Sequence, residues 1–251
     1  VVGGRLFIQG MSSLIARDVY TGRQLWKREF TNLGTDGVFF DETYKDTPLD
    51  PAYNQVHIPG ANARGTNYVV TSDAVYILEG ATCHILDPAT GKTSAEISLP
   101  QVDASQPHEW GYIGVYEDVL LGGVGFANYR ARYEADQDED ARQKEKRAGF
   151  GERSLDLAAS MALVGFDRHT GKQLWKIDAL HSFWHNGIVA GSGLVYLLDR
   201  NPTKVEEILR RRGKSNPDTY RLLAIIARTG EKAWELPGQV FGTWLGYSEK
   251  H

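Results

Sequence analysis

An all-β fold of stacked four-stranded units, a β-propeller, is what this sequence predicts, and three observations predict it. An eleven-residue phrase returns four times, with Thr-Gly at its sixth and seventh positions. The residues leading into each Thr-Gly alternate between apolar and polar, the period of a strand. A further short apolar run lies upstream of each phrase, so every repeat supplies several short strands, as a propeller blade does.

The four phrases are Ala16–Trp26, Ile85–Ala95, Gly165–Trp175 and Ala224–Trp234. Each reads as a hairpin. Leu14-Ile15-Ala16, Leu163-Val164-Gly165 and Leu222-Leu223-Ala224 form the entering strands. The glycines at Gly22, Gly91, Gly171 and Gly230 supply the positive φ of a tight turn, and Asp18, Asp87 and Asp167 accept backbone N–H bonds at its start. Apolar residues then resume, as in Gln24-Leu25-Trp26. The upstream runs are Arg5–Ile8, Ala74–Leu78, Val119–Leu121 and Leu194–Leu198. The Thr-Gly pairs are 69, 80 and 59 residues apart, beyond the roughly 40 to 50 residues of a minimal blade, so insertions fill the excess. The expected blades are 1–30, 62–100, 108–178 and 184–236, with a further blade starting over 237–251 and insertions at 31–61, 130–157 and 200–219.

This phrase resembles the PQQ-type β-propeller repeat of the quinoprotein dehydrogenase-like superfamily, whose tryptophan-docking motif is Ala, then Gly six residues on, then Trp four further. Copies one and four match fully, at Ala16, Gly22, Trp26 and Ala224, Gly230, Trp234. Copy three replaces Ala with Gly165 and keeps Gly171 and Trp175, a small-for-small change. Copy two keeps Gly91 but carries Ile85 and Ala95, so one dock between blades is weakened or rebuilt. Docking by a flat indole against a small residue buries on the order of 150 to 250 Å², so these three Trp are read as structural. The resemblance specifies fold more than chemistry, because the superfamily holds both PQQ-dependent dehydrogenases and non-catalytic scaffolds of the BamB type.

Four phrases make about four blades, fewer than the seven or eight of the resembled family. The sequence opens on Val1-Val2-Gly3-Gly4 directly before a strand and closes where another blade starts, so it reads as a piece of a larger ring. At 251 residues with 41% hydrophobic content it can bury a substantial core. Net charge of −4 with interspersed signs indicates no nucleic-acid or anionic-membrane surface. No apolar run approaches the ~18 to 20 residues of a membrane span. The single Cys83 excludes an internal disulfide and reads as core packing. Export to the periplasm or beyond is what the resemblance implies.

Among the insertions, Thr31–Gly60 reads as a long ordered loop. Residues 130–153 hold seven acids and seven bases, acids first, which suits a solvated helix. Thr203-Lys204-Val205-Glu206 is a capping-box pattern, so a short helix is expected there, with Arg210–Arg212 at its C-terminal end and Gly213 as its stop.

Chemistry in a propeller gathers at the channel mouth, on the connections that enter the innermost strands. The residues just before each inferred innermost strand are Asn62–Gly65, His108–Trp110, His181–Asn186 and Phe241–Trp244. All three Trp not used for docking fall here, with three of the seven His. Stacking from Trp110, Trp184 or Trp244, carboxylate pairing by Arg64 and hydrogen bonds from Asn62 and Asn186 would suit a flat, anionic, oxygen-rich ligand. The same residues equally suit bonding between neighbouring blades across the channel.

The resembled PQQ enzymes hold calcium with Glu and Asn. By residue type alone, Glu109 and Asn186 answer to those ligands. No Cys-Cys pair exists for the vicinal disulfide of the alcohol dehydrogenases, and Asp18, Asp87 and Asp167 belong to turns, so no catalytic Asp is placed. His181 and His185, four apart on a strand, are about 13 Å apart at ~3.3 Å per residue, too far for one ion. The expected function is therefore a non-catalytic binding or scaffolding propeller whose partner is another protein or the remaining blades. The alternative is part of an oxidoreductase that uses PQQ and calcium on alcohols or sugars.

Overall fold

The computed structural model describes residues 1–10, 12–31, 33, 67–100, 109–128, 155–156, 158–201, 213, 220–238 and 244–249. Among these, every regular element is a β-strand and every pairing is antiparallel. The expected helix from Thr203 up to its Gly213 stop, the charged stretch 130–153 and most of the 31–61 insertion lie outside the described residues, Gly213 itself excepted. The chain divides into two compact units, Val1–Val115 and Tyr116–His251. Phrases one and two fall in the first unit and phrases three and four in the second. The division thus follows the one phrase in which Ala95 stands where the others have Trp.

In the first unit, β1 (Arg5–Gln9), β2 (Ser13–Asp18) and β3 (Gln24–Glu29) form one sheet. A second sheet holds β4 (Tyr68–Val70), β5 (Val75–Glu79), β6 (Thr82–Leu86) and β7 (Thr93–Ser98) in chain order. Alternation decides which side chains face inward. Phe7, Ala16 and Trp26 stand abreast across β1, β2 and β3. They are buried in one cluster with Val75, Ile77 and Leu86 of the second sheet.

The indole of Trp26 makes that contact directional. Its Nε1 donates to the Pro88 carbonyl at 3.0 Å. Its ring lies so close to Gly91 that a Cβ there would sit 2.7 Å from Trp26 Cε3. Position eleven of one phrase therefore meets positions four and seven of the next.

The second unit repeats the arrangement. The division falls within β8 (Trp110–Tyr116), which heads the sheet β8, β9 (Val119–Val124), β12 (Ala159–Asp167), β13 (Gln173–Gly191), β14 (Leu194–Asp199), β15 (Arg221–Ile226), β16 (Lys232–Pro237); β10 (Ala127–Asn128) and β11 (Leu155–Asp156) make a separate pair. Trp175 Nε1 donates to the Ala227 carbonyl at 2.8 Å. A Cβ on Gly230 would sit 2.5 Å from Trp175 Cγ. These are again positions four and seven of the following phrase.

Three of the four turns are built alike. Asp18, Asp87 and Asp167 each accept the N–H groups two and three residues on and the Thr hydroxyl. The glycines at 22, 91, 171 and 230 all take φ near +70°, between 70° and 73°. The bonds from Thr21 hold the Asp18 carboxyl below its usual range, and those from Thr90 do the same for Asp87. The Thr170 N–H and hydroxyl bring Asp167 down to about 2.

One expectation is corrected. Residues His181–Asn186 were to form a connection entering an innermost strand, but they lie inside β13, which runs unbroken for 19 residues. The reason is double pairing. Its first part runs along β12, from Phe166↔Gln173 to Ala159↔Trp184, and its last part along β14, from Phe183↔Asp199 to Gly191↔Leu194. A register shift between Phe183 and Ile188 absorbs the change of partner.

Candidate functional site

The expected mouth residues are distributed over both units, and each unit holds its own. In the first, Trp110 opens β8 and is buried. Its Nε1 donates to the Ala81 carbonyl at 3.0 Å, in the turn between β5 and β6. Glu109, just before it, is exposed. Asn62 and Arg64 lie outside the described residues.

In the second unit, β13 carries His181, Ser182, Phe183, Trp184 and His185 as five consecutive buried residues, with Asn186 exposed after them. Such a run demands partners for its polar groups. Asp199, fully buried at the end of β14, supplies those at its start. Its carboxylate accepts the N–H groups of Leu180, His181 and Ser182 at 2.7, 2.8 and 3.1 Å. Its charge is met by Arg221 on β15, with Nε and Nη2 both at 2.8 Å from Oδ2. The Ser182 hydroxyl donates to the Arg200 carbonyl at 2.6 Å. Ser160 Oγ and His185 Nε2 share a hydrogen bond at 2.9 Å.

Trp184 is enclosed on several sides. Its Nε1 donates to the Asn201 carbonyl at 3.1 Å, and it packs with Ala127 and Ala159. The Arg200 guanidinium lies 4.6 Å above its ring and 4.3 Å from that of Tyr220, so the cation is stacked between two aromatics. Next to this block, the Leu245 N–H donates to the Asn186 carbonyl at 3.0 Å and so places Trp244, 72% exposed, alongside the end of the buried run.

The structure thus brings Trp184, Asn186 and Trp244 into one unit and gives Trp110 and Glu109 to the other. A flat quinone needs an aromatic face open to it. Trp110 and Trp184 are buried with their N–H groups bonded to backbone, and Trp184 already carries a guanidinium on its ring, so these two do not fit that role. Among the described residues no group of three His, Cys, Asp or Glu is placed to hold a metal ion. Calcium ligation by Glu109 and Asn186 therefore has only their residue types behind it. His181 and His185 serve the packed interior of β13.

Sequence reasoning missed Asp199 and Arg221. The signal was a carboxylate closing the apolar run Leu194–Leu198, with an Arg opening the next run at Arg221. It becomes meaningful only once the register Asp199↔Arg221 is known.

No protein-family model matches the chain, and no curated protein matches it by sequence. Solved structures do. A europium-containing methanol dehydrogenase aligns with TM-score 0.53 at 13% identity, over 94% of this chain and 40% of its own. The quinohemoprotein alcohol dehydrogenase from Comamonas testosteroni aligns with TM-score 0.52 at 12% identity, over 93% of this chain and 33% of its own. BamB from Moraxella catarrhalis gives TM-score 0.46 at 14% identity, over 94% of this chain and 50% of its own. The fold is an all-β propeller fold like that of these dehydrogenases. The chain spans a third to a half of the length of these neighbours.

Proposed function

We propose that this chain is a non-catalytic PQQ-repeat propeller segment, a binding or scaffolding module. One observation carries the reading: two of the three candidate stacking indoles, Trp110 and Trp184, are buried with their N–H groups bonded to backbone carbonyls, and Trp184 also lies against the Arg200 guanidinium. The Trp26 and Trp175 contacts are read as docks that join successive repeats. Glycine at position seven and a carbonyl at position four receive each indole.

The partner on this reading is another protein or further propeller blades, and the compartment is the periplasm or another exported location. No helix among the described residues is long and apolar enough to cross a membrane.

Isothermal calorimetry with PQQ, with and without calcium, on the protein and on its Arg64→Ala variant tests the assignment. No saturable heat is expected from either. Calcium-dependent binding that collapses in Arg64→Ala would overturn it in favour of a quinoprotein oxidoreductase acting on alcohols or sugars.

A further inference from the structure

Within the first unit, the second sheet carries a short line of charged groups on the face it turns toward the first sheet. His84 stands in the middle of β6. It pairs with Ile77 on β5 and with Glu96 on β7, and Glu79 lies two residues beyond Ile77. Residues two apart along a strand share a face, and direct and diagonal neighbours on adjacent strands come within reach of one another. His84, Glu79 and Glu96 therefore share the face on which Ile77 is buried against the first sheet.

The imidazole has a carboxylate at each nitrogen. Its Nδ1 lies 2.9 Å from Glu96 Oε1 and its Nε2 lies 3.1 Å from Glu79 Oε2. The other oxygen of Glu79, Oε1, accepts the Thr31 N–H at 2.7 Å. Thr31 follows Phe30, where the chain leaves the first sheet, and the Phe30 ring packs on that of His84 with centroids 5.7 Å apart. From β3 comes a further charge, Arg28, whose guanidinium lies 5.4 Å from the Phe30 centroid and donates to the Gly91 carbonyl at 3.2 Å.

A carboxylate only accepts hydrogen bonds, and a neutral imidazole has a single N–H to donate. Both contacts are thus hydrogen bonds only when both ring nitrogens carry protons, which makes the ring a cation between two anions. Remove one proton and a lone pair faces a carboxylate, so one arm opens. The arms differ in their cover. The His84 and Glu79 side chains are 13% and 23% exposed, whereas that of Glu96 is 56% exposed. The Glu96 arm is the one that gives way to water, and Glu79 then holds Thr31 without a cation beside it.

From this we infer that His84 is a proton-dependent clasp between the first and second repeats. Protonated, it draws Glu79 and Glu96 into one line and aims Glu79 at the Thr31 N–H, so the end of the first repeat is fastened to β5, β6 and β7 together. Neutral, it releases Glu96 and slackens Thr31. Imidazole side chains exchange their proton between about pH 5 and 8, so the joint is fastened on the acid side of that window and slack on the alkaline side. The clasp concerns how two repeats are joined, and it stands whether or not the module binds a cofactor.

Hydrogen exchange at the Thr31 amide, corrected for the intrinsic pH dependence of exchange, reads the clasp directly. In the unmodified protein its protection should fall about three- to fivefold between about pH 5.5 and about pH 8.5, the size of one partly exposed charge-assisted bond. His84→Gln should begin at the lower level and show no such fall.

Glu96→Gln is the sharper variant. A carboxamide donates as well as accepts, so a neutral His84 keeps both bonds, donating from Nε2 to Glu79 and accepting at Nδ1 from the new amide. Thr31 protection should then stay level across the range. The Glu96 side chain is more than half exposed, so this variant keeps the fold, which circular dichroism checks. Protection that does not change with pH in the unmodified protein, or that falls as much in Glu96→Gln, would overturn the inference.

Discussion

Gly165→Ala is the sharpest perturbation this structure offers, because the repeat pattern and the atomic contacts predict opposite signs. Copies one and four have Ala at this position, and Gly→Ala in extended backbone ordinarily stabilises by about 0.4–1 kcal/mol through the unfolded chain. The contacts oppose it. A Cβ on Gly165 would lie 2.3 Å from Trp175 Cε2, 2.5 Å from Cζ2 and 2.6 Å from Nε1. Ordinary carbon contacts are about 3.5–4.0 Å.

The ring has little freedom to yield. Its Nε1 is held by the Ala227 carbonyl, and its Cβ–Cγ edge lies against Gly230. Overpacking of this kind costs about 1–3 kcal/mol, so the net expectation is a loss of about 1–2 kcal/mol. Guanidinium-induced unfolding followed by tryptophan fluorescence measures it as a lower midpoint at unchanged slope. A Trp175→Leu change in the same chain should remove most of the penalty, a coupling that a double-mutant cycle reads directly. A midpoint at or above that of the unmodified protein would refute the reasoning.

Three further outcomes are expected. Asp199→Ala should cost about 3–5 kcal/mol in the same assay, because it strips the Leu180, His181 and Ser182 N–H groups of their acceptor and removes the buried carboxylate that pairs with Arg221. Cys83 should resist a thiol-specific disulfide reagent in the native state and react once the chain is unfolded, since burial pushes its thiol well above the usual range. The carboxyl of Asp167, lowered in the fold to about 2 against about 3.9 in an unfolded chain, contributes stability fully above pH ~4 and loses it as pH falls toward 2. Asp167→Asn should flatten that part of a melting-temperature profile, and an unchanged acid limb would count against the turn bonds as its source.

Much of the fold was legible in the sequence because each turn announces itself: Asp, Thr and Gly at fixed offsets can be satisfied in essentially one local geometry, and strand alternation on either side fixes which residues pair. Gly165 shows the limit of that reading. As a sequence position it passes for a tolerated variant of Ala, and only the ring laid across it reveals a steric demand. The channel-mouth residues were legible as a cluster of aromatic and polar types but not as an arrangement. Whether Trp184 offers a face to a ligand or hides it depends on Arg200 and Asn201, which lie 16 and 17 residues further on. Strand register brings them there, and no local spacing records it. Likewise His181–Asn186 looked like a connection because polar residues interrupt an apolar run, while in fact a distant carboxylate, Asp199, satisfies that stretch as strand.

The unbroken course of β13 has a consequence for how the protein comes apart. Its first half is hydrogen-bonded into the third repeat and its second half into the fourth, so neither can melt without releasing one flank of the other. In the first unit, by contrast, phrases one and two lie in separate sheets joined through side chains, above all Trp26, and among the described residues no strand is common to both. Native-state hydrogen exchange should register the difference as one shared opening event for β12 through β15, and two distinguishable ones for β1–β3 and β5–β7. A strand held in common thus does covalently what an indole does by contact, and it turns two repeats into a single unit of unfolding.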